Sequence, residues 1–281
     1  MGDFQFSHFA TVKGIGGTSG VLFEDDRLVL ISDDSFVLYF YSIDDKKLQK
    51  FNLSESDVWN ENIEKPFKPD FESLSESKDH YFLFGSGSAE NRFESVEISE
   101  NPLEIVKRDS LKTIYFEMMK ISKIKTDDFN IEGAVLKSND AYFFNRGNGP
   151  NRKNGIFKIK NWKDSKREIS YYPIELPKID EVSFGFTDAC FCNDGFYFTA
   201  SAESGGSTYH DGQVLGSAVG RIGMKNMILE EFQIVTKDHK LEGIAVSKNS
   251  ENEIEFFLCE DADDDSNQTE IFKLKINYGA I

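Results

Sequence analysis

The sequence has few cysteines and no long apolar run. Its 281 residues include three cysteines, Cys190, Cys192 and Cys259. An odd count argues against a disulfide framework, and we expect these side chains to pack as small apolar groups. No stretch of about 18 apolar residues occurs, which argues against a membrane-spanning helix. A chain of this length can bury a full core without such covalent support.

Several common catalytic signatures are also absent. The sequence contains no Gly-x-Ser-x-Gly nucleophile motif, no metal-binding pair of histidines, no cysteine cluster and no glycine-rich phosphate loop before a helix. Basic residues are scarce, with 32 Lys and Arg against 49 Asp and Glu and a net charge of −17. This field repels a phosphate backbone, so we do not expect a nucleic-acid partner. The excess of acidic side chains either keeps the protein soluble or attracts cations.

The N-terminal residues lack the basic and apolar regions of a signal peptide. Together with three free thiols, this favours a cytoplasmic protein. The alternative is a periplasmic or secreted protein from which a signal has been removed. We expect a monomer that does not associate with membranes.

A short pattern occurs five times: a polar approach, an acid or Ser, a small residue and an apolar run. The acid or hydroxyl positions are separated by 53, 60, 56 and 54 residues, and a further 58 residues lead from the last, through both chain ends, to the first: Ser19, Glu72, Glu132, Asp188 and Glu242. Each copy continues through a turn into further short strands. Four strands per repeat predict a blade, and five repeats predict an all-β, five-bladed β-propeller spanning residues 1–281 as one domain.

The two chain ends are expected to meet in the last blade. The final repeat stops after its third strand, and residues 4–12 alternate as a strand should. This N-terminal strand is predicted to close the ring. The segment 111–125 has apolar residues near helical spacing, and it reads either as a short helix or as a long fourth strand of the second blade.

The five equivalent positions should converge on the propeller axis, because the first strand of each blade lines the channel. Four carboxylates at one mouth raise one another's pKa unless protons, basic side chains or a metal ion neutralise them. Oxygen ligands without Cys or His favour a hard ion. Six to eight oxygens in flexible geometry suit Ca²⁺. The alternative is that these residues only begin strands.

This pattern resembles the calcium-activated nucleotidase (apyrase) family of five-bladed propellers. Ser19 in Thr-Ser-Gly-Val-Leu-Phe resembles the first-blade Ser of that family, and Glu72, Glu132 and Glu242 resemble its Glu ligands. Gly185-Phe186-Thr187-Asp188 resembles its Gly-Phe-Ser-Ser segment, with Asp188 in the second hydroxyl position. The Glu-Gly strand openings are also similar to gluconolactonase and phytase-like esterase propellers. The resemblance implies an axial Ca²⁺ more strongly than nucleotide hydrolysis.

The loops after the second strands carry the candidate catalytic residues. Arg92, Arg146 and Arg152 fall in these loops, where they either hold an anionic ligand such as phosphate or carboxylate, or pair with the acidic ring or with Asp33 and Asp34. His210 lies in the longest loop and is a candidate general base on a metal-bound water. A solvated loop histidine is the simpler interpretation.

Two functions remain open from these residues. One is a metal-dependent hydrolase of a small anionic ester, lactone or phosphate. The other is a non-catalytic propeller in which Ca²⁺ joins the blades and the loops bind a glycan or a protein.

Overall fold

The computed structural model describes residues 3–55, 58–204, 212–263 and 266–278. Five antiparallel, four-stranded sheets follow one another along the chain. The first blade contains β2 (Gly20–Glu24), β3 (Arg27–Ile31), β4 (Val37–Ser42) and β5 (Lys47–Asn52). The second contains β6 (Phe71–Glu76), β7 (His80–Gly85), β8 (Glu94–Glu100) and β9 (Leu103–Ser110).

The third blade contains β10 (Ile131–Lys137), β11 (Asp140–Asn145), β12 (Gly155–Lys160) and β13 (Glu168–Pro173). A small hairpin, β14 (Lys178–Ile179) and β15 (Val182–Ser183), precedes the fourth. The fourth contains β16 (Gly185–Cys192), β17 (Gly195–Ser204), β18 (Gln213–Gly223) and β19 (Ile228–Thr236). The fifth contains β20 (Leu241–Asn249), β21 (Glu253–Glu260) and β22 (Gln268–Asn277), and its outer strand is β1 (Asp3–Lys13).

The predicted five-bladed propeller is confirmed, with the N-terminal strand in the last blade. β1 runs antiparallel to β22 from the pair Asp3–Asn277 to the pair Lys13–Gln268. The backbone hydrogen bonds of this pairing join the two ends of the chain and close the ring.

Aromatic side chains fill the spaces between blades. Inner and middle strands are buried on both faces because each blade packs against two neighbours, which explains apolar runs such as Leu28–Ile31. Phe84 of the second blade meets Phe143 of the third with ring centroids 5.1 Å apart, and Phe144 meets Phe196 of the fourth at 5.5 Å. The 26 phenylalanines therefore serve mainly as the layers between sheets.

The ambiguous segment forms a helix, α1 (Lys112–Ser122). Its buried face is Tyr115, Met118 and Met119, spaced three and four residues apart as a helix requires. The Tyr115 hydroxyl donates a hydrogen bond to the Gly85 carbonyl at 2.8 Å. A short 3₁₀ turn (Thr126–Asp128) then leads into β10. No helix among the described residues is long and apolar enough to cross a membrane.

Candidate functional site

A β-bulge opens the inner strand of several blades and determines which residue faces the channel. In the second blade Phe71 pairs with Gly85 and Ser73 with Phe84, so Glu72 has no partner across the ladder. The same interruption leaves Glu132 and Glu242 unpaired in the third and fifth blades. A bulge frees one residue from the ladder and turns its side chain, which explains how these three reach a common point.

The bulge of the fourth blade lies at Thr187 rather than at Asp188. Phe186 pairs with Ala200 and Asp188 pairs with Thr199, so Thr187 is the residue equivalent to Glu72. The sequence pattern therefore selected a residue one position too late in this blade, Asp188 instead of Thr187. The cause is that the bulge depends on backbone pairing with β17, which the pattern of side chains does not reveal.

Hydroxyl residues at this position connect neighbouring blades. The Ser19 hydroxyl donates to the carbonyl of Phe71 at 2.6 Å, and the Thr187 hydroxyl donates to the carbonyl of Leu241 at 2.7 Å. Each acceptor is the residue just before the Glu of the next blade. Ser19 and Thr187 therefore link the inner strands of neighbouring blades, and each hydroxyl uses its proton in this hydrogen bond.

Asp188 forms a further connection between blades. Its Oδ2 accepts a hydrogen bond from the backbone N–H of Ile244 at 2.9 Å, while its buried Oδ1 has no partner among the described residues. Burial raises the pKa of Asp188 well above its usual value, which favours the protonated carboxyl.

The three glutamates form a compact buried cluster. Carboxylate oxygens of Glu72, Glu132 and Glu242 all lie within 4.8 Å of one another. Glu132 Oε1 accepts a hydrogen bond from Asn130 Nδ2 at 2.5 Å. Glu72 makes no side-chain hydrogen bond or ion pair within the described part of the chain. We call this group the axial glutamates.

Two buried basic side chains approach the axial glutamates. Arg146 Nη1 lies 3.3 Å from Glu132 Oε2 and 3.3 Å from Glu242 Oε1, and Arg146 Nη2 also pairs with Glu203. Lys240 Nζ lies 3.0 Å from Glu242 Oε1 and 2.9 Å from Asp263 Oδ2. Through Arg146, carboxylates of the third, fourth and fifth blades share one guanidinium.

A second ion-pair network covers the side of the second blade. Arg92 Nη1 lies 2.9 Å from Asp70 Oδ2, and Lys68 Nζ lies 3.0 Å from Asp70 Oδ1. Lys68 also pairs with Asp33. Arg92 is thus held by Asp70, which is not a ring residue, whereas Arg146 pairs with the ring residues Glu132 and Glu242 as one of the two predicted roles requires.

The sequence reasoning missed several of these residues. Asp70, Asn130 and Lys240 each lie two positions before an axial glutamate. All three stand just before the first residue of an inner strand, so a polar residue recurring at this position of the repeat was the signal that could have revealed them. Glu203 comes from the end of β17 and carries no comparable signal.

A small polar cavity of about 60 Å³ lies among these groups. Seven carboxylates and five basic side chains line it, together with two asparagines: Asp33, Lys65, Lys68, Asp70, Glu72, Arg92, Asn130, Glu132, Arg146, Asn148, Lys240, Glu242, Asp261 and Asp263. Five of these residues, Asp33, Lys65, Lys68, Asp261 and Asp263, also line a larger neighbouring cavity of about 540 Å³. The two cavities therefore adjoin each other.

The basic side chains that line the small cavity do not fully neutralise its carboxylates. Burial raises the pKa of Glu132 to about 8, although Arg146 opposes the shift. Burial also raises the pKa of Glu72 well above its usual value, and repulsion from Glu132 and Asp70 adds to the effect. A further cation close by would stabilise the ionised form of such desolvated carboxylates.

The remaining predicted residues lie elsewhere. Arg152 adopts a left-handed backbone with φ of 50° in the turn after Gly149, and it lines neither of these two cavities. His210 is outside the described residues.

These features define a five-bladed β-propeller whose channel mouth is a buried, predominantly acidic site. The chain belongs to a family of unknown function (DUF6929), which matches residues 14–276. No curated protein sequence matches it.

Solved structures similar to this chain are other propeller proteins at low identity. Glutaminyl cyclase from Myxococcus xanthus aligns with a TM-score of 0.55 and 10% identity over 97% of this chain and 96% of that chain. A luciferin-regenerating enzyme aligns with a TM-score of 0.47 and 9% identity over 97% and 95%. A DUF4221 protein from Bacteroides vulgatus aligns with a TM-score of 0.47 and 8% identity over 98% and 99%. At 10% identity, the similarity to the glutaminyl cyclase shows the fold alone.

Proposed function

We propose that the axial glutamates bind a divalent cation, with Ca²⁺ the best match. The observation that carries the proposal is Glu72, a buried carboxylate within 4.8 Å of two others and without a hydrogen bond or ion pair in the described part of the chain. A buried charge of this kind is costly unless it is paired. Neither Arg146 nor Lys240 is paired with it.

The chemistry of the donor set fits a hard ion. The available donors are carboxylate and amide oxygens, from the axial glutamates and from Asn130 and Asn148. Oxygen-only sites with flexible geometry favour Ca²⁺ over zinc, which takes nitrogen and sulfur ligands. A cavity of about 60 Å³ has room for an ion and one or two waters.

We further propose that the site hydrolyses a small anionic ester, lactone or phosphate. When bound, the ion would polarise the substrate oxygen and lower the pKa of a coordinated water. The substrate would enter through the larger cavity and approach Lys65 and Lys68, where its anionic group would compete with Asp33 and Asp70 for Lys68. Without an ion, burial raises the pKa of Glu132 to about 8, so a bound ion would have to displace the proton of this ligand.

A non-catalytic role is favoured by a different observation. Arg146 already joins carboxylates of three blades, and a metal ion on the axis would extend the same network. In this alternative the ion stabilises the folded ring by linkage, and the loops bind a glycan or a protein.

One experiment separates the two functions. Protein stripped with EDTA would be assayed with p-nitrophenyl acetate, p-nitrophenyl phosphate, a nucleoside diphosphate and a γ-lactone, with and without Ca²⁺. Lys68→Gln tests the anion-binding wall, and the exposed Lys107→Gln is the matched control. Turnover that requires Ca²⁺ and falls at least about tenfold in Lys68→Gln supports the hydrolase. A Ca²⁺-dependent melting temperature without turnover supports the structural role.

A further inference from the structure

A third cavity, lined mainly by apolar side chains, lies on the axis at the other end of the inner strands. It has a volume of about 330 Å³ and takes residues from all five blades, including Phe23, Leu74, Leu136, Phe191 and Val246. This volume is within the range of small-molecule pockets. All its lining residues belong to the inner strands.

The apolar cavity is separate from the axial glutamates. Leu74 and Leu136 lie two and four residues beyond Glu72 and Glu132 on their strands. At about 3.3 Å per residue, this places the cavity roughly 10 Å along the axis from the acidic mouth. Leu136, Phe191 and Val246 are half-buried, so the cavity opens to solvent at its outer end.

One edge of this cavity is acidic. Glu76 lines the cavity and also lies in a group of three carboxylates, with Glu24 and Glu100, whose oxygens are within 4.8 Å of one another. Glu24 is satisfied by Arg27, whose Nη2 lies 2.7 Å away, and by the Tyr81 hydroxyl.

The other two carboxylates of this group lack basic partners. Within the described chain, Glu76 makes no ion pair, and Oε1 of Glu100 is shielded from water without a hydrogen-bond partner. Burial, with repulsion from Glu24, raises the pKa of both carboxyls. Lys137 Nζ lies 3.4 Å from the centre of the Phe191 ring, so a basic group contacts a different part of the cavity lining. The edge at Glu76 therefore offers uncompensated negative charge beside apolar surface.

We propose that this cavity binds a small amphipathic amine, with its apolar body on the axis and its cationic head at Glu76. Charge complementarity at the Glu76 edge selects this chemistry, because an anionic head placed there would lie beside Glu76 and Glu100. A neutral apolar molecule would leave those carboxylates unpaired. The proposal is independent of the function of the acidic mouth.

Matched probes that share one tail test this assignment. Octylammonium and octanoate would be titrated into the full-length protein by calorimetry. Octylammonium should bind, and octanoate should bind about two- to fivefold more weakly, the range expected for one partly exposed ion pair. Glu76→Gln should remove that preference, and Leu136→Trp should abolish binding by filling the cavity.

Two controls keep the result specific. Glu104→Gln removes an exposed charge on β9, and Glu132→Gln removes a charge at the opposite mouth; neither should change octylammonium binding. Equal affinities for the two probes would overturn the proposal. An unchanged affinity for octylammonium in Glu76→Gln, or a loss as large in Glu132→Gln, would also overturn it.

Discussion

Replacing Arg146 by Met tests how the buried charges at the channel mouth are balanced. Arg146 is buried and contacts Glu132, Glu203 and Glu242. Its removal leaves these carboxylates without the guanidinium that they share. Breaking a buried pair in this way costs about 3–5 kcal/mol. With roughly 2 °C lost per kcal/mol in a chain of this size, the melting temperature should fall by about 6–10 °C.

Calcium should reverse part of this loss. A ligand at about 100 times its Kd stabilises the folded state by about 2.7 kcal/mol. In Arg146→Met the ion no longer competes with a guanidinium for Glu132 and Glu242, so its effect should be larger than in the wild type. The gap between the two melting temperatures should therefore narrow when Ca²⁺ replaces EDTA.

Thermal and urea unfolding, each in EDTA and in Ca²⁺, measure both effects. Lys107→Met is the matched control, because Lys107 forms an exposed ion pair with Asp109 and should show no measurable change. The reasoning is refuted if Arg146→Met loses less than about 1 kcal/mol. It is also refuted if Ca²⁺ stabilises the variant no more than the wild type.

Further predictions concern the hydrogen bonds between blades and the packing under α1. The free energy of unfolding of Asp188→Asn should increase relative to that of the wild type as the pH rises from 5 to 8, because a carboxyl with a raised pKa in the folded state costs stability once the unfolded chain has lost its proton. Equal pH dependence of urea unfolding in both proteins would contradict this. Ser19→Ala should lower stability by about 1–3 kcal/mol with or without Ca²⁺, since the buried Phe71 carbonyl loses its donor, whereas a loss seen only in Ca²⁺ would indicate a ligand role. Gly87→Ala should destabilise by more than about 1 kcal/mol in the same assay, because φ is +74° and the new methyl would lie 2.5 Å from the Tyr115 ring; an unchanged midpoint would be incompatible with this packing.

The repeat interval carried most of the information about the fold. Regular spacing of strand openings predicts equivalent blades, and the short last repeat predicts that β1 completes it. The segment containing α1 was ambiguous because its apolar spacing fits a helix or a long strand. The structure selects the helix, since Tyr115 and Met118 pack together on the neighbouring blades while β9 already completes the second blade.

The site was only partly predictable, for a physical reason. Glu72, Glu132 and Glu242 share a position in the repeat, and a repeated position on an inner strand must recur around the axis. The register of the fourth blade depends on the bulge at Thr187, which arises from backbone pairing with β17. Glu203 reaches the mouth from a different strand, and no local pattern connects it with Arg146.

The presence of a cation at the axial glutamates is the central claim, and calorimetric titration of Ca²⁺ into EDTA-stripped protein tests it most directly. Wild type, Glu72→Gln and the exposed control Glu104→Gln would be compared. One ion should bind per chain in wild type and control, and the affinity should fall at least about tenfold in Glu72→Gln, which loses one of three charged ligands. Absence of binding heat together with an unchanged melting temperature in Ca²⁺, or equal affinity in Glu72→Gln, would contradict the account.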